Sequence, residues 1–466
     1  MFDDEDDDFQ EQNLNEDLQQ FELHLKGQSS VFLDSDRIEG ILDHFLINGN
    51  YQKAKQAAEY GMERFGYNQL FILRKAQSLS GLGQLNEAMD LVNQLEKIGD
   101  NQLEVTLTKA ALFSQLRDSK NAIKYFKSAL ILCEPEDKDE IYLDIAMEYQ
   151  NLGQTREAID VLKEAITTNP QNEGALYEIA FLYDQLGDYK NAIKCYTDFI
   201  DENPYSYTAW YNLGNAHSKL EDFDKAVIAY DYAILINVNF GPAHFNMANA
   251  YLSQEKFHKA IEHFHECIKL DGEEAMALCY LGEAHEQLNE LELARHYYKR
   301  SLELTPMLSE AWLGLGIITD IEGNTREGIT LIQKALHYDQ ENAGIYHVLA
   351  GAYEKLNEID LAKANYITSL DLDPNDEECL SDYVDLLMEE SPLEALKVLQ
   401  EFMVDNIDNR IAKVLEVNLK WMLGQKSQAI ELFAKCLQEN STKAKSIFEI
   451  NPKLLDDQDF LNLSAE

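Results

Sequence analysis

Small residues at a fixed interval constrain this chain more than any other feature. Alanine stands at Ala54, Ala88, Ala122, Ala158, Ala192, Ala226, Ala260, Ala294, Ala362, Ala395 and Ala429, and Gly328 fills the one remaining place in the series. Successive members lie 34 residues apart, except for one step of 36 after Ala122 and one of 33 after Ala362. Four residues further on, most units carry a large apolar side chain: Phe126, Leu162, Tyr196, Tyr230, Phe264, Tyr298, Tyr366 or Phe433. Three residues beyond that, several return to a small one, as at Ala129, Ala165, Ala233, Ser301, Ala335 and Ser369. Two helices that cross closely need this arrangement. One of them must lack bulk at the crossing, and the next turn must fill the space beside it.

The segments between these alanines read as helix pairs. Gly49, Gly83, Gly153, Gly187, Asn289, Gly323, Asn357 and Gly424 share one repeat position. Glycine or asparagine there suits the left-handed residue that ends a helix. Pro170, Pro204, Pro306 and Pro374 mark where second helices stop. The first helix carries Trp210-x2-Leu213-Gly214 and Trp312-x2-Leu315-Gly316, with weaker copies such as Tyr142-x2-Ile145-Ala146 and Tyr346-x2-Leu349-Ala350. These residues resemble the tetratricopeptide repeat, whose period is about 34 residues.

The resemblance implies an all-α fold, a right-handed superhelical solenoid of about twelve helix-turn-helix units with capping helices. The expected division is an acidic, disordered 1–13, a capping helix over 14–34, degenerate units 1–3 over 35–138, the best-matching units 4–10 over 139–376, degenerate units 11–12 over 377–443, and a C-terminal cap or tail over 444–466. Leu14, Leu18, Phe21 and Leu25 lie on one helical face and support the first cap. A short helix is expected at Lys443–Phe448, with Leu454, Leu455, Phe460 and Leu461 closing the other end. Extra residues at Cys133–Lys138 and a missing one near Ser391 read as altered loops.

Net charge is −45, with 84 acidic against 39 basic residues. That balance argues against nucleic acid and against an anionic membrane as partners, because both demand clustered Lys and Arg. Six cysteines occur without any Cys-x-x-Cys pair, and no signal peptide or membrane span is legible. A cytoplasmic protein with free thiols is expected.

In the resembled family the first helices line a concave groove that holds peptides. Carried onto this sequence, the partner-binding residues are Tyr177, Phe181, Tyr211, Asn212, Asn215, Phe245, Asn246, Asn249 and Glu283. An Asn amide offers donors and an acceptor, so it grips a peptide backbone whatever the side chains. The Lys/Arg clamp by which some family members hold acidic C-termini is absent. Asp144, Glu178, Asp184, Glu283, Glu286, Asp320 and Glu354 take that face instead, which favours a basic or neutral segment.

His258, His263, His265 and Cys267 are the densest run of potential metal ligands, and they read as surface histidines beside a packed cysteine. No phosphate loop or nucleophile motif is present. The sequence therefore predicts a non-enzymatic protein-interaction scaffold without catalytic residues, cofactor or metal. The alternative is a recruiting subunit of an enzyme complex, or a self-associating structural protein, that uses the convex face and the repeat ends.

Overall fold

Most of the helix pairs turn through one left-handed residue. In the computed structural model, Gly49, Gly83, Gly153, Gly187, Gly323, Gly424, Asn289 and Asn357 all have positive φ. The N–H groups around each turn back to the preceding helix: Gly83 to Ser80 and Gln84 to Leu79, Asn289 to Glu286 and Glu290 to His285. These bonds satisfy carbonyls that the helix end would otherwise leave open.

The structure describes residues 3–28, 32–66, 68–99 and 102–465, and the side chains of these except 3–13, 136 and 465. It divides into two compact units, Met1–Val238 and Asn239–Glu466. In the first, α1 (Asp3–Leu25) precedes α2 (Ser35–Ile47) paired with α3 (Tyr51–Phe65), α4 (Gln69–Gly81) with α5 (Leu85–Glu96), and α6 (Gln102–Gln115) with α7 (Ser119–Leu132). Three more pairs follow: α8 (Lys138–Asn151) with α9 (Thr155–Thr168), α10 (Glu173–Leu186) with α11 (Tyr189–Glu202), and α12 (Tyr207–Lys219) with α13 (Phe223–Ile236). The second unit holds α14 (Gly241–Ser253) with α15 (Phe257–Asp271), α16 (Ala275–Gln287) with α17 (Leu291–Leu304), and α18 (Ser309–Ile321) with α19 (Thr325–Tyr338). It continues with α20 (Ala343–Lys355) and α21 (Ile359–Leu372), α22 (Glu377–Glu390) and α23 (Pro392–Asp405), α24 (Arg410–Met422) and α25 (Lys426–Glu439). It ends with α26 (Ser441–Lys445), α27 (Ile447–Ile450) and α28 (Gln458–Ala465). No strand occurs among the described residues. Within each unit, consecutive helices pack on one another, as in an α-solenoid.

The crossings follow the small–large pattern. A Cβ on Gly214 would come within 2.5 Å of the Tyr230 ring, and one on Gly282 within 2.7 Å of Tyr298. Tyr298 also packs on Gly314 of the next pair, where a Cβ would stand 2.2 Å from the ring. In α18 and α19 the approach is closer still. A Cβ on Gly328 would lie 2.8 Å from the Gly316 carbonyl oxygen. That explains why this unit alone has glycine at the alanine position. The tryptophans are structural too: Trp210 and Trp312 donate their indole N–H to the carbonyls of Pro204 (3.0 Å) and Pro306 (2.9 Å).

Three features differ from the sequence expectation. First, α1 begins at Asp3 and takes in most of the acidic stretch expected to be disordered, while Met1 and Phe2 lie outside the described residues. Acidic residues suit the positive end of a helix dipole. Leu18 and Phe21 pack on the first pair, and Asp17 accepts from Arg37 Nε at 2.8 Å. Second, the helix expected at Lys443–Phe448 is broken at Ser446 into α26 and α27. Leu454 and Phe460 are fully buried beyond it, whereas Leu455 is exposed. Third, Arg117, Glu221 and Glu255 adopt the left-handed turn conformation without being glycine or asparagine.

The phase breaks are loop changes. A short 3-10 turn at Pro135–Asp137 absorbs the insertion. The deletion leaves Ser391 alone between α22 and α23, and its hydroxyl caps α23 by accepting from the Glu394 N–H.

Gly328→Ala should destabilise the protein by about 1–3 kcal/mol in denaturant unfolding, because the two backbones must separate. Glu221→Gly or Glu255→Gly should stabilise it by up to about 1 kcal/mol, since each removes a left-handed strain larger than the entropy that glycine adds to the unfolded chain.

Candidate binding surfaces

In the first unit, the expected residues lie on α10 and α12. Tyr177 and Phe181, one turn apart on α10, leave 73% and 52% of their surface open to solvent. Met147 on α8 is also exposed. Tyr211, Asn212 and Asn215 on α12 are half-buried. Tyr211 packs toward the ring of Tyr230, with centroids 6.0 Å apart. The Asn215 side-chain oxygen accepts the Tyr230 hydroxyl at 2.9 Å. Asn215 is thus held from inside by the tyrosine that packs on Gly214, which sequence spacing did not reveal.

Between α4, α6 and α8 the same unit contains a cavity of about 540 Å³. Leu103, Leu107 and Ile141 give it apolar walls, and Glu140 and Asp144 line it with carboxylates. Burial, with the charges of Glu140 and Glu148 added, raises the Asp144 carboxyl above its ordinary range. Neighbouring first helices are tied one repeat apart by side chains, as where Ser80 donates to Gln115 (3.0 Å) and Ser114 to Glu148.

In the second unit, Phe245, Asn246 and Asn249 on α14 are half-buried, and Glu283 on α16 is exposed. Phe245 packs edge-on against Phe264 and lies 5.9 Å from the Tyr280 ring. Phe264 replaces the tyrosine of the preceding pair, so no hydroxyl reaches Asn249 from that position. Glu283 is accessible, yet surrounding protein still raises its carboxyl by desolvation. Glu286, one turn on, accepts the Tyr298 hydroxyl at 2.7 Å. Burial pushes Glu286 up to about 7, against the pull of that hydrogen bond and with a further push from Glu283. Glu354 accepts from Tyr366 in the same way, at 3.0 Å. Asp320 is paired with Lys355 at 2.5 Å.

The nine expected residues therefore fall in two sets, five in the first unit and four in the second. Cys279, which shares the repeat position of Tyr177, Tyr211 and Phe245, is buried. The histidines at 258, 263 and 265 do not gather around Cys267: His263 faces His244, with 3.0 Å between their Nδ1 atoms. Two features lay outside the sequence reading. A cavity of about 600 Å³ opens between α9 and α11, lined by Lys163, Ile166, Cys195 and Phe199 among others. The outer side of α13 exposes Ile228, Tyr232 and Leu235. All six thiols are unpaired, and no helix among the described residues is long and apolar enough to cross a membrane.

Glu286 yields a pH test. Its folded-state pKa lies above the ordinary 4.5, so the stabilisation it gives is present in acid and is lost as pH rises through about 7. Glu286→Gln keeps an acceptor for Tyr298 but cannot titrate. Urea midpoints from pH 5.5 to 8 should fall less steeply in this variant than in the parent.

Comparison with known proteins agrees with this geometry. Family models described as tetratricopeptide repeat match residues 177–242 and 245–308, 151–198, and 343–376. No curated protein sequence matches the chain. Among solved structures, the APC/C hetero-tetramer Cut9–Hcn1 is similar at 16% identity and a TM-score of 0.45, over 89% of this chain and 94% of that one. YrrB, described as a TPR protein with an unusual peptide-binding site, is similar at 22% identity and a TM-score of 0.31, over 41% and 97%. MamA is similar at 19% identity and a TM-score of 0.33, over 35% and 95%. The matched segments are tetratricopeptide repeats, and left-handed turns of the same kind occur in the pairs on either side of them.

Proposed function

We propose that the protein is a non-enzymatic scaffold whose first-helix faces bind an extended segment of a partner protein, basic or neutral in charge. Tetratricopeptide repeats support an interaction role at the coarser level. The finer reading is carried by the exposed Tyr177 and Phe181 pair on α10. Rigid aromatic surface open to water is the kind of feature that dominates binding energy when covered. In the first unit Tyr211, Asn212 and Asn215 lie one repeat further along the same series, on α12. In the second, Phe245, Asn246, Asn249 and Glu283 play the matching part. The asparagines hold peptide backbone, since an amide side chain carries both donors and an acceptor. Burial raises Asp144, Glu283 and Glu286, neighbouring carboxylates add to the rise at Asp144 and Glu286, and a cationic side chain relieves that crowding.

The alternative reading, recruitment or self-association through the second helices, is favoured by Ile228, Tyr232 and Leu235 on α13. A concentration-independent monomer in sedimentation would exclude the self-association form.

Selection of a displayed random-peptide library on the full chain should enrich sequences of positive or zero net charge. Affinity for an enriched peptide should fall about tenfold or more in Tyr177→Ala with Phe181→Ala, and similarly in Asn212→Ala with Asn246→Ala. It should also weaken with added salt. Enrichment of acidic peptides, or unchanged affinity in both double variants, would overturn the proposal.

A further inference from the structure

Where α20 meets the start of α22, three side chains of different donor type converge. His347 comes from α20, and Asp376 and Cys379 flank the first turn of α22. One donor atom from each lies within 4.8 Å of the others. Asp376 uses Oδ1 to cap α22, accepting from the Cys379 N–H at 3.0 Å. Its other oxygen, Oδ2, lies 3.7 Å from His347 Nδ1. The opposite ring nitrogen, Nε2, is 2.9 Å from Asp382 Oδ2. Cys379 is fully buried, and its sulfur lies 4.0 Å from the Tyr366 carbonyl.

In the neutral tautomer that carries its proton on Nε2, Asp382 accepts that N–H and the Nδ1 lone pair is left on the side of Asp376. A carboxylate behind a histidine in this way fixes the ring and its tautomer for metal binding. One nitrogen, one sulfur and one carboxylate oxygen suit zinc or a related divalent transition ion, and are a poor set for calcium or magnesium. A tetrahedral ion holds its donors roughly 3.3–3.8 Å apart, and those present all lie within 4.8 Å of one another.

We propose that His347, Asp376 and Cys379 form a binding site for a divalent transition-metal ion of the zinc class, with Asp382 as the positioning residue. On binding, the Cys379 sulfur loses its proton to solvent and bonds the metal as thiolate. Imidazole and carboxylate each donate a lone pair, and water completes the coordination. A simple ion pair of His347 with Asp376 and Asp382 needs no cysteine, so Cys379 separates the two explanations.

The test uses the full chain with Co²⁺ as the probe, followed by displacement with Zn²⁺. One equivalent should bind and produce a thiolate-to-metal charge-transfer band in the near ultraviolet. Cys379→Ser should abolish the band, and Cys379→Ser and His347→Gln should each weaken binding by more than about tenfold. Asp382→Asn should keep the band and weaken binding by about 10–100-fold. Cys195→Ser, which alters the most accessible of the six thiols, should change nothing. Helicity by circular dichroism identifies folded variants. If Cys379→Ser does not fold, His347→Gln at a half-buried position and Asp382→Asn at an exposed one decide the question. Absence of a charge-transfer band in the parent would overturn the site. So would Co²⁺ affinity unchanged in His347→Gln, because the metal would then be held by surface carboxylates alone.

Discussion

The contact on which the rest depends is the crossing between the two helices of a pair, where a side chain is missing on one and an aromatic ring fills the space. Tyr230 lies on Gly214, and Tyr298 lies between Gly282 and Gly314. Where both sides are glycine, at Gly316 and Gly328, the backbones themselves are in contact and Ile332 fills the gap. A repeat chain has no central core to compensate for a poor crossing, because each pair buries its apolar side only against its neighbours. The fidelity of the small residue at this position across twelve pairs follows from that.

The same tyrosines reach through the crossing to the other face. Their hydroxyls donate to Asn215, Glu286 and Glu354 on the first helices. A buried hydroxyl needs a partner, and the partner it finds here is a polar group on the surface proposed to bind. In these three pairs one tyrosine links the crossing to that polar group. Where phenylalanine replaces the tyrosine, at Phe264, that link is absent. Charge acts on the same faces. The excess of 45 negative charges places carboxylates beside one another at Glu140 and Asp144 and at Glu283 and Glu286, where burial first and like charge second raise Asp144 and Glu286 and make cationic company favourable.

Much of the fold was legible because its determinants are local and repeated. The turn glycines and asparagines each show positive φ. Arg117, Glu221 and Glu255 could not be recognised by composition. They are left-handed because the flanking helices set the register, and packing on both sides outweighs the local preference. Ser391 was visible only as a missing residue, and its role as a cap depends on α22 running directly into α23. The candidate surfaces were legible as positions and not as environments. Tyr177 is largely exposed while Cys279, at the same repeat position, is buried.

The sequence by itself determined the period, the helix pairs, the turn residues and the acidic character, since each rests on spacing or composition. Tertiary structure decided which groups are committed elsewhere: Asn215 to Tyr230, Glu286 to Tyr298, Asp320 to Lys355. It also brought His347 beside Asp376 and Cys379, although about one repeat separates them in the chain. The reason is geometric. Hydrogen bonds and ligand sets depend on distances of a few ångströms between helices, and a one-dimensional pattern fixes which helices are neighbours without fixing where their side chains meet.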